Sequence, residues 1–318
     1  MGSPGRAPAL SERRRSFWRA AALAGIVAVL SPLGSSLMSP IAMVGIPAGA
    51  ALFAFQWRRP ASLGLALALW LVSFAGALGS PVPLWLLERA WALLIAGGFV
   101  VATALAPRRS VLARALWALL IAAAVVGASG ILRPGLIEGL DWRVAGQFDR
   151  VAMMFDLQGN AGATVGDAVR SFAAVAKAIY PAFLGLASLA ALGVATYVTR
   201  RMEDVEASVS PLRAFRFGDH LAWILVVGLL LLILPAGAWS TRAGGNVVAF
   251  MGGLYILRGA GVLVWLGTSV VSSGWSIALW SIAAILFYPV TLGAAFVLGL
   301  SDTWLDLRTR LGVEAEED

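Results

Sequence analysis

The sequence predicts an all-α fold, a polytopic α-helical membrane bundle of about eight or nine transmembrane segments. Two observations carry this. Hydrophobic residues fill 60% of the 318 positions and charged residues 13%, with a mean hydropathy of +0.85; a soluble chain of this length needs about twice that charged fraction to cover its surface. Apolar runs also recur from end to end, divided by turns carrying Pro, Gly or paired Arg. An apolar helix is the one open-chain structure that crosses lipid with its backbone groups paired internally.

Taken in order, Arg6, Arg13, Arg14, Arg15 and Arg19 precede the first apolar run. Secretory signals and first membrane spans share this pattern, and because further spans follow at once the segment is read as retained. Apolar segments then run over Phe17–Leu37, Ile41–Trp57, Leu63–Leu78, Leu84–Ala106, Val111–Ala128, Ile179–Val198, Leu221–Leu234, Asn246–Trp265 and Trp275–Leu300. Pro32, Pro40 and Pro47 interrupt the first pair, which places those segments inside the bundle, where neighbours re-satisfy the carbonyls that Pro frees. Ala20, Ala24 and Ala28 form a small-residue stripe on the first span, and Gly45 and Gly49 a small-xxx-small match on the second. Such stripes let helices approach closely, and in so Ala-rich a chain chance accounts for them about as well.

Arg58-Arg59, Arg108-Arg109 and Arg200-Arg201 fall at alternate turns, on the side of the N-terminus. The excess of basic residues puts that side in the cytoplasm, so a multi-pass inner-membrane protein with a cytoplasmic N-terminus is expected. Beyond residue 236 charge and parity conflict. The turn from Gly267 to Gly274 has no Lys or Arg, whereas Arg308 and Arg310 follow the last segment, so one of the short segments is expected not to cross completely.

Between the fifth and sixth segments, Ser129–Val165 reads as a long outer loop. Val144, Phe148, Val151 and Phe155 recur at helical spacing within it, predicting an amphipathic helix from about Leu140 to Leu157 over the outer mouth of the bundle. A long helix, Gly166–Thr199, follows, opened by Thr164 as cap with Asp167 in its first turn. At roughly 50 Å it exceeds a hydrocarbon core of about 30 Å, so one end stands out of the bilayer. The organisation is then a six-span domain over 1–199, a cytoplasmic connector over 200–220 and a C-terminal bundle of about three spans with a polar tail over 221–318.

The net charge of +7 and pI near 10.9 do not imply nucleic acid, because the Arg residues sit in pairs at segment ends rather than along a phosphate-tracking stripe. With no Cys and His220 as the sole His, thiol chemistry and multi-His metal sites are excluded. No Walker loop, dinucleotide fingerprint or paired intramembrane carboxylates occur, so no catalytic residue, metal or cofactor is expected and the chain is not read as an enzyme.

Several charged residues carry two readings. Lys177, the only Lys among 24 basic residues, lies about 35 Å of helix before Arg200. It either snorkels to the headgroups or anchors an anionic group, with Tyr180 one turn on. Glu88 and Arg89 open the fourth segment as interfacial anchors, or Glu88 pairs with Lys177. Arg258, 12 positions into its expected span, is the most unfavourable residue of all: a central Arg costs about 2.5–3.5 kcal/mol on insertion, so it either snorkels or serves a polar site inside the bundle. Asp219 reads as a dipole-favourable cap.

Leu298-Gly299-Leu300-Ser301-Asp302-Thr303-Trp304-Leu305-Asp306-Leu307-Arg308 resembles the closing signature of the YybS family of bacterial membrane proteins. Phe217-Gly218-Asp219-His220, and Asn246 followed by Tyr255 and Gly259, are similar to it as well. That family carries a Gln before this Gly, where Arg258 stands here. The first 199 residues resemble the substrate-binding component of energy-coupling-factor vitamin transporters, and more distantly the cell-shape protein MreD. The transporter resemblance implies that Ala20, Ala24 and Ala28 meet a transmembrane coupling subunit and that the loop before the sixth span closes over a ligand. The function expected is binding or transport of a small molecule or lipid beneath the outer loop, without covalent chemistry. Lys177, Tyr180, Glu88 and Trp142 would line the site. The alternative is a membrane scaffold recruiting envelope-assembly or cell-shape proteins. The lipid bilayer is a partner on either reading, and nucleic acid on neither.

Overall fold

The computed structural model describes residues 44–45, 47–49, 52, 83–132, 135–157, 159–202, 212–213, 215–235, 237–270 and 282–314. Its elements are α1 (Pro83–Leu105), α2 (Val111–Leu132), α3 (Gly135–Asp156), α4 (Asn160–Met202), the short 3-10 turn η1 (Asp219–Leu221), α5 (Ala222–Ile233), α6 (Ala238–Val270), α7 (Tyr288–Leu305) and α8 (Leu307–Glu314). Every one is helical, as an all-α bundle requires. Among the described residues three stretches are long and apolar enough to cross a membrane, Val111–Leu132, Gly162–Arg200 and Ala238–Gly267. The expected segments at 17–37 and 63–78, the stripe of Ala20, Ala24 and Ala28, the Arg58-Arg59 pair and the turn at 271–274 lie outside the described residues.

Two compact units divide the chain, Met1–Arg143 with Ala187–Val205, and Val144–Leu186 with Glu206–Asp318. In the first, α1 and α2 form a hairpin, and the Ser110 hydroxyl accepts the Ala113 N–H at 3.2 Å to cap α2, a device worth about 1 kcal/mol. The core joins Val44, Ala48 and Leu52 to Trp91, Ile95 and Phe99 of α1, Ala115, Ala118 and Ala122 of α2, and Leu189, Leu192 and Ala195 of α4. The Gly45 and Gly49 match is a packing surface: Gly45 stacks on Ala191 and Gly49 on Ala195, so small residues four apart face each other on both helices. Trp91 Nε1 donates to Ser188 Oγ at 3.0 Å inside this core, giving the indole N–H the partner that burial demands.

The expected loop over Ser129–Val165 is corrected. α2 runs on to Leu132, α3 opens at Gly135 and α4 at Asn160, so Thr164 lies inside the helix rather than capping it. Among the described residues between 129 and 165, α3 and α4 are separated at Gly159, with φ +84°, a value that only Gly adopts freely. The amphipathic helix is present and starts earlier than Leu140. α4 reaches 43 residues, about 65 Å.

In the second unit, the Val144–Asp156 part of α3 folds back along the start of α4. Phe148 meets Phe172 edge to face at 5.8 Å, and the Arg170 guanidinium bridges Asp156 and, at 2.9 Å, Asp167. α5 packs antiparallel on α6 through Gly228 and Gly244. With only 12 residues, about 18 Å, α5 is shorter than the hydrocarbon core.

α6 opens at Ala238, eight residues before the expected start, because Thr241 and Arg242 sit within a first turn that reaches water. α6 and α7 run in the same direction: Gly252 meets Phe296, Tyr255 meets Gly299, and Arg258 meets Asp302, three contacts advancing together along both helices. The backbones touch where they cross. A Cβ on Gly259 would overlap the Ala295 carbonyl, and one on Gly299 the Tyr255 carbonyl.

Candidate functional site

Two polar sites lie on α6 in this second unit, at Asn246 and at Arg258. The first stands where α4 contains Pro181. Pro has no N–H, so the Lys177 carbonyl four residues earlier loses its helical donor, and the next step of the ladder, Ala178 to Ala182, is bridged from outside. Asn246 Nδ2 donates to the Ala178 carbonyl at 2.7 Å, and Asn246 Oδ1 accepts the Ala182 N–H at 2.9 Å. A further Nδ2 bond to the Arg242 carbonyl at 2.8 Å completes the amide. One side chain from α6 is thus wedged into the backbone of α4, the arrangement that keeps an interrupted membrane helix satisfied. Lys177 is exposed and Tyr180 half-buried beside this step, so a cation and an aromatic ring stand together at the step that Pro181 alters.

The second site surrounds Arg258, 4% exposed. Its Nε donates to Asp302 Oδ2 at 2.8 Å, Nη2 to the Asp302 carbonyl at 2.9 Å and Nη1 to the Phe217 carbonyl at 3.2 Å. The Phe217 ring lies over the guanidinium at 5.2 Å and edge-on to Tyr255. Asp219 comes within 3.6 Å of Nη1 from an exposed position. Arg308 approaches the same carboxylate, with Nη2 at 3.2 Å from Asp302 Oδ2; it also donates to the Phe215 carbonyl at 3.0 Å and the Arg213 carbonyl at 2.7 Å. Burial pulls the Arg308 guanidinium below its ordinary pKa, and the Asp302 carboxylate opposes that. Asp302 is fully buried, with Oδ1 lacking a hydrogen-bond partner, as does Arg308 Nε.

The physical reason for two arginines here is the non-helical backbone of 215–217, where the Phe215 and Phe217 carbonyls take guanidinium N–H groups. Arg258 lies 19 residues, about 28 Å, after the exposed Trp239 and within the apolar stretch Ala238–Gly267. Its carboxylate partner, Asp302, was not singled out in the sequence. A buried Arg needs an acid, and an Asp in the last turn of an apolar helix was the available signal.

The C-terminal motif stretches meet on α6: Phe217 and Asp219 at Arg258, Asn246 at α4, and Gly299, Asp302 and Arg308 along Gly259 and Arg258. Of the four residues expected to line an outer site, Lys177 and Tyr180 share the interrupted step of α4. Glu88 lies on α1 and Trp142, 78% exposed, on α3, both in the other unit. Asp219 stands in the first turn of η1, where the helix dipole favours an acid, and also approaches Arg258.

No curated protein and no solved structure matches this chain. A family model described as predicted membrane protein, DUF2232, matches residues 22–303. With membrane-length apolar helices and a match over most of its length, the chain belongs to the DUF2232 family of predicted membrane proteins.

Proposed function

We propose that this protein is a binding or transport component of the bacterial inner membrane, working without covalent chemistry, and that its ligand is a small anionic molecule or lipid. The ligand is taken at the interrupted step of α4, where Lys177 supplies the charge and Tyr180 the stacking surface. One observation carries the reading: Asn246 bridges the Ala178–Ala182 step of α4, next to Pro181 and Lys177. Interrupted membrane helices commonly form substrate sites, because their unpaired backbone groups and local charges are fixed in advance. The finer likeness to YybS proteins and to energy-coupling-factor substrate-binding components belongs to this reading, as does a cytoplasmic N-terminus.

The test is native mass spectrometry of gently purified protein. Bound mass on the wild type that falls at least tenfold in Lys177→Ala and is restored in Lys177→Arg supports the site; equal retention in all three rejects it.

A scaffold is the second reading, favoured by the apolar surface of the α3–α4 hairpin. Met153, Met154, Leu157 and Phe172 are all exposed there, a surface on which a coupling subunit or envelope-assembly protein docks. Co-purification of such a partner, lost in Leu157→Glu while bound small-molecule mass is unchanged, would favour it.

A further inference from the structure

At the Arg258 end of the second unit, two buried guanidiniums share one buried carboxylate. Among the described residues Asp302 is the one acid completely enclosed with them, and Asp219 is 73% exposed. Beyond Asp302, the guanidiniums donate only to neutral groups, the carbonyls of Arg213, Phe215 and Phe217. Arg forks match the oxygens of carboxylate and phosphate better than single carbonyls, and charge-assisted bonds to an oxyanion are roughly twice as strong. Arg308 Nε is buried and carries no partner at all. We infer that the 215–217 backbone is a strap seated on a two-arginine oxyanion site, its carbonyls standing in for the phosphate oxygens that Arg258 and Arg308 bind when it lifts.

What holds the strap is limited and identifiable. Phe217 is its buried side-chain anchor, wedged between Tyr255 and Arg258. Arg216 adds an ion pair of 2.9 Å with Asp306, both about half exposed, a contact of modest strength. Leu212 seats its carbonyl against Gly261, where a Cβ would collide with it. Lifting these residues requires no change inside α6 or α7, because Arg258 keeps both of its bonds to Asp302. Trp304, 68% exposed, stands in the adjoining turn of α7, so a phospholipid headgroup and a free phosphate are both possible sources of the oxyanion.

The experiment uses the full chain with the strap loosened in two ways, Phe217→Ala and the milder Asp306→Asn, which keeps a residue tolerant of the left-handed conformation at 306 (φ 43°). Trypsin cleavage after Arg213 and Arg216 reports strap opening. Binding is measured to inorganic phosphate in detergent, and to nanodiscs' phosphatidylglycerol against phosphatidylcholine by lipid retention. Both variants are expected to be cut at least tenfold faster and to gain at least fivefold in anion binding, a gain that Arg308→Gln removes. A gain with phosphate alone identifies a free oxyanion, and a gain with phosphatidylglycerol alone identifies a headgroup. Faster cleavage without a gain in either overturns the proposal, as does unchanged cleavage in both variants. If Phe217→Ala fails to fold, Asp306→Asn decides by the same readings.

Discussion

Asp302→Asn tests the charge logic at the Arg258 end. The substitution keeps the shape of the side chain and an oxygen able to accept from Arg258 Nε at 2.8 Å, but removes the one fully enclosed negative charge. Two guanidiniums, of side-chain exposure 5% and 6%, are then left with neutral partners and a distant, exposed Asp219. Breaking a buried pair from one side costs about 3–5 kcal/mol, and retention of the hydrogen bond places Asn near the lower end. Asp219→Asn, removing an exposed partner at 3.6 Å, should change stability by less than about 0.5 kcal/mol. Denaturant unfolding in detergent, followed by the fluorescence of the 13 Trp residues, reads both. In a double-mutant cycle, Arg258→Leu with Asp302→Leu should fall short of the summed single effects by about 2 kcal/mol, since the double variant leaves neither charge opposite an empty partner. Equal, small shifts for Asp302→Asn and Asp219→Asn would refute the reasoning, and so would strict additivity in the cycle.

Three further outcomes follow from the packing. Asn246→Ala removes both bonds to α4 and should destabilise by about 1–3 kcal/mol, with faster amide exchange at Ala182 while exchange within α7 is unchanged. Gly299→Ala places a methyl on the Tyr255 carbonyl; overpacking against backbone should cost about 3 kcal/mol, seen as a lower unfolding midpoint, whereas the same change at Gly293, which meets nothing, should be neutral within about 0.5 kcal/mol. Because the chain has no Cys, single-Cys variants can map the membrane: Trp239→Cys and Trp304→Cys should react with an impermeant maleimide from opposite faces, and labelling of both from one face would contradict the parallel crossing of α6 and α7.

How much of this was legible follows from the range of each interaction. Helix existence is local: an apolar run and its bounding Pro, Ser or Arg lie within one window, and α1 at Pro83–Leu105 falls one residue from the expected segment. Helix starts are less local. At Ala238 the first turn of α6 is polar, so hydropathy alone sets the start at Asn246 and hides that Asn246 is already two turns inside. The candidate sites were half visible. Lys177 and Arg258 stand out because isolated charge in an apolar stretch needs a partner, but the partners, Asn246 for the α4 step and Asp302 for Arg258, lie 64 and 44 positions away in the chain. Pro181 was the overlooked signal, since a Pro inside a membrane helix obliges some neighbour to replace the bond it removes.

The most direct test of the central claim replaces Tyr180 with a photoreactive phenylalanine analogue in the otherwise intact protein, irradiates cells expressing it and identifies the mass added to the peptide that contains residue 180. A ligand site at the interrupted step of α4 predicts a small anionic molecule or lipid as the adduct, lost when Asn246→Ala closes the step. Cross-links to other proteins alone, unchanged by Asn246→Ala, would contradict it.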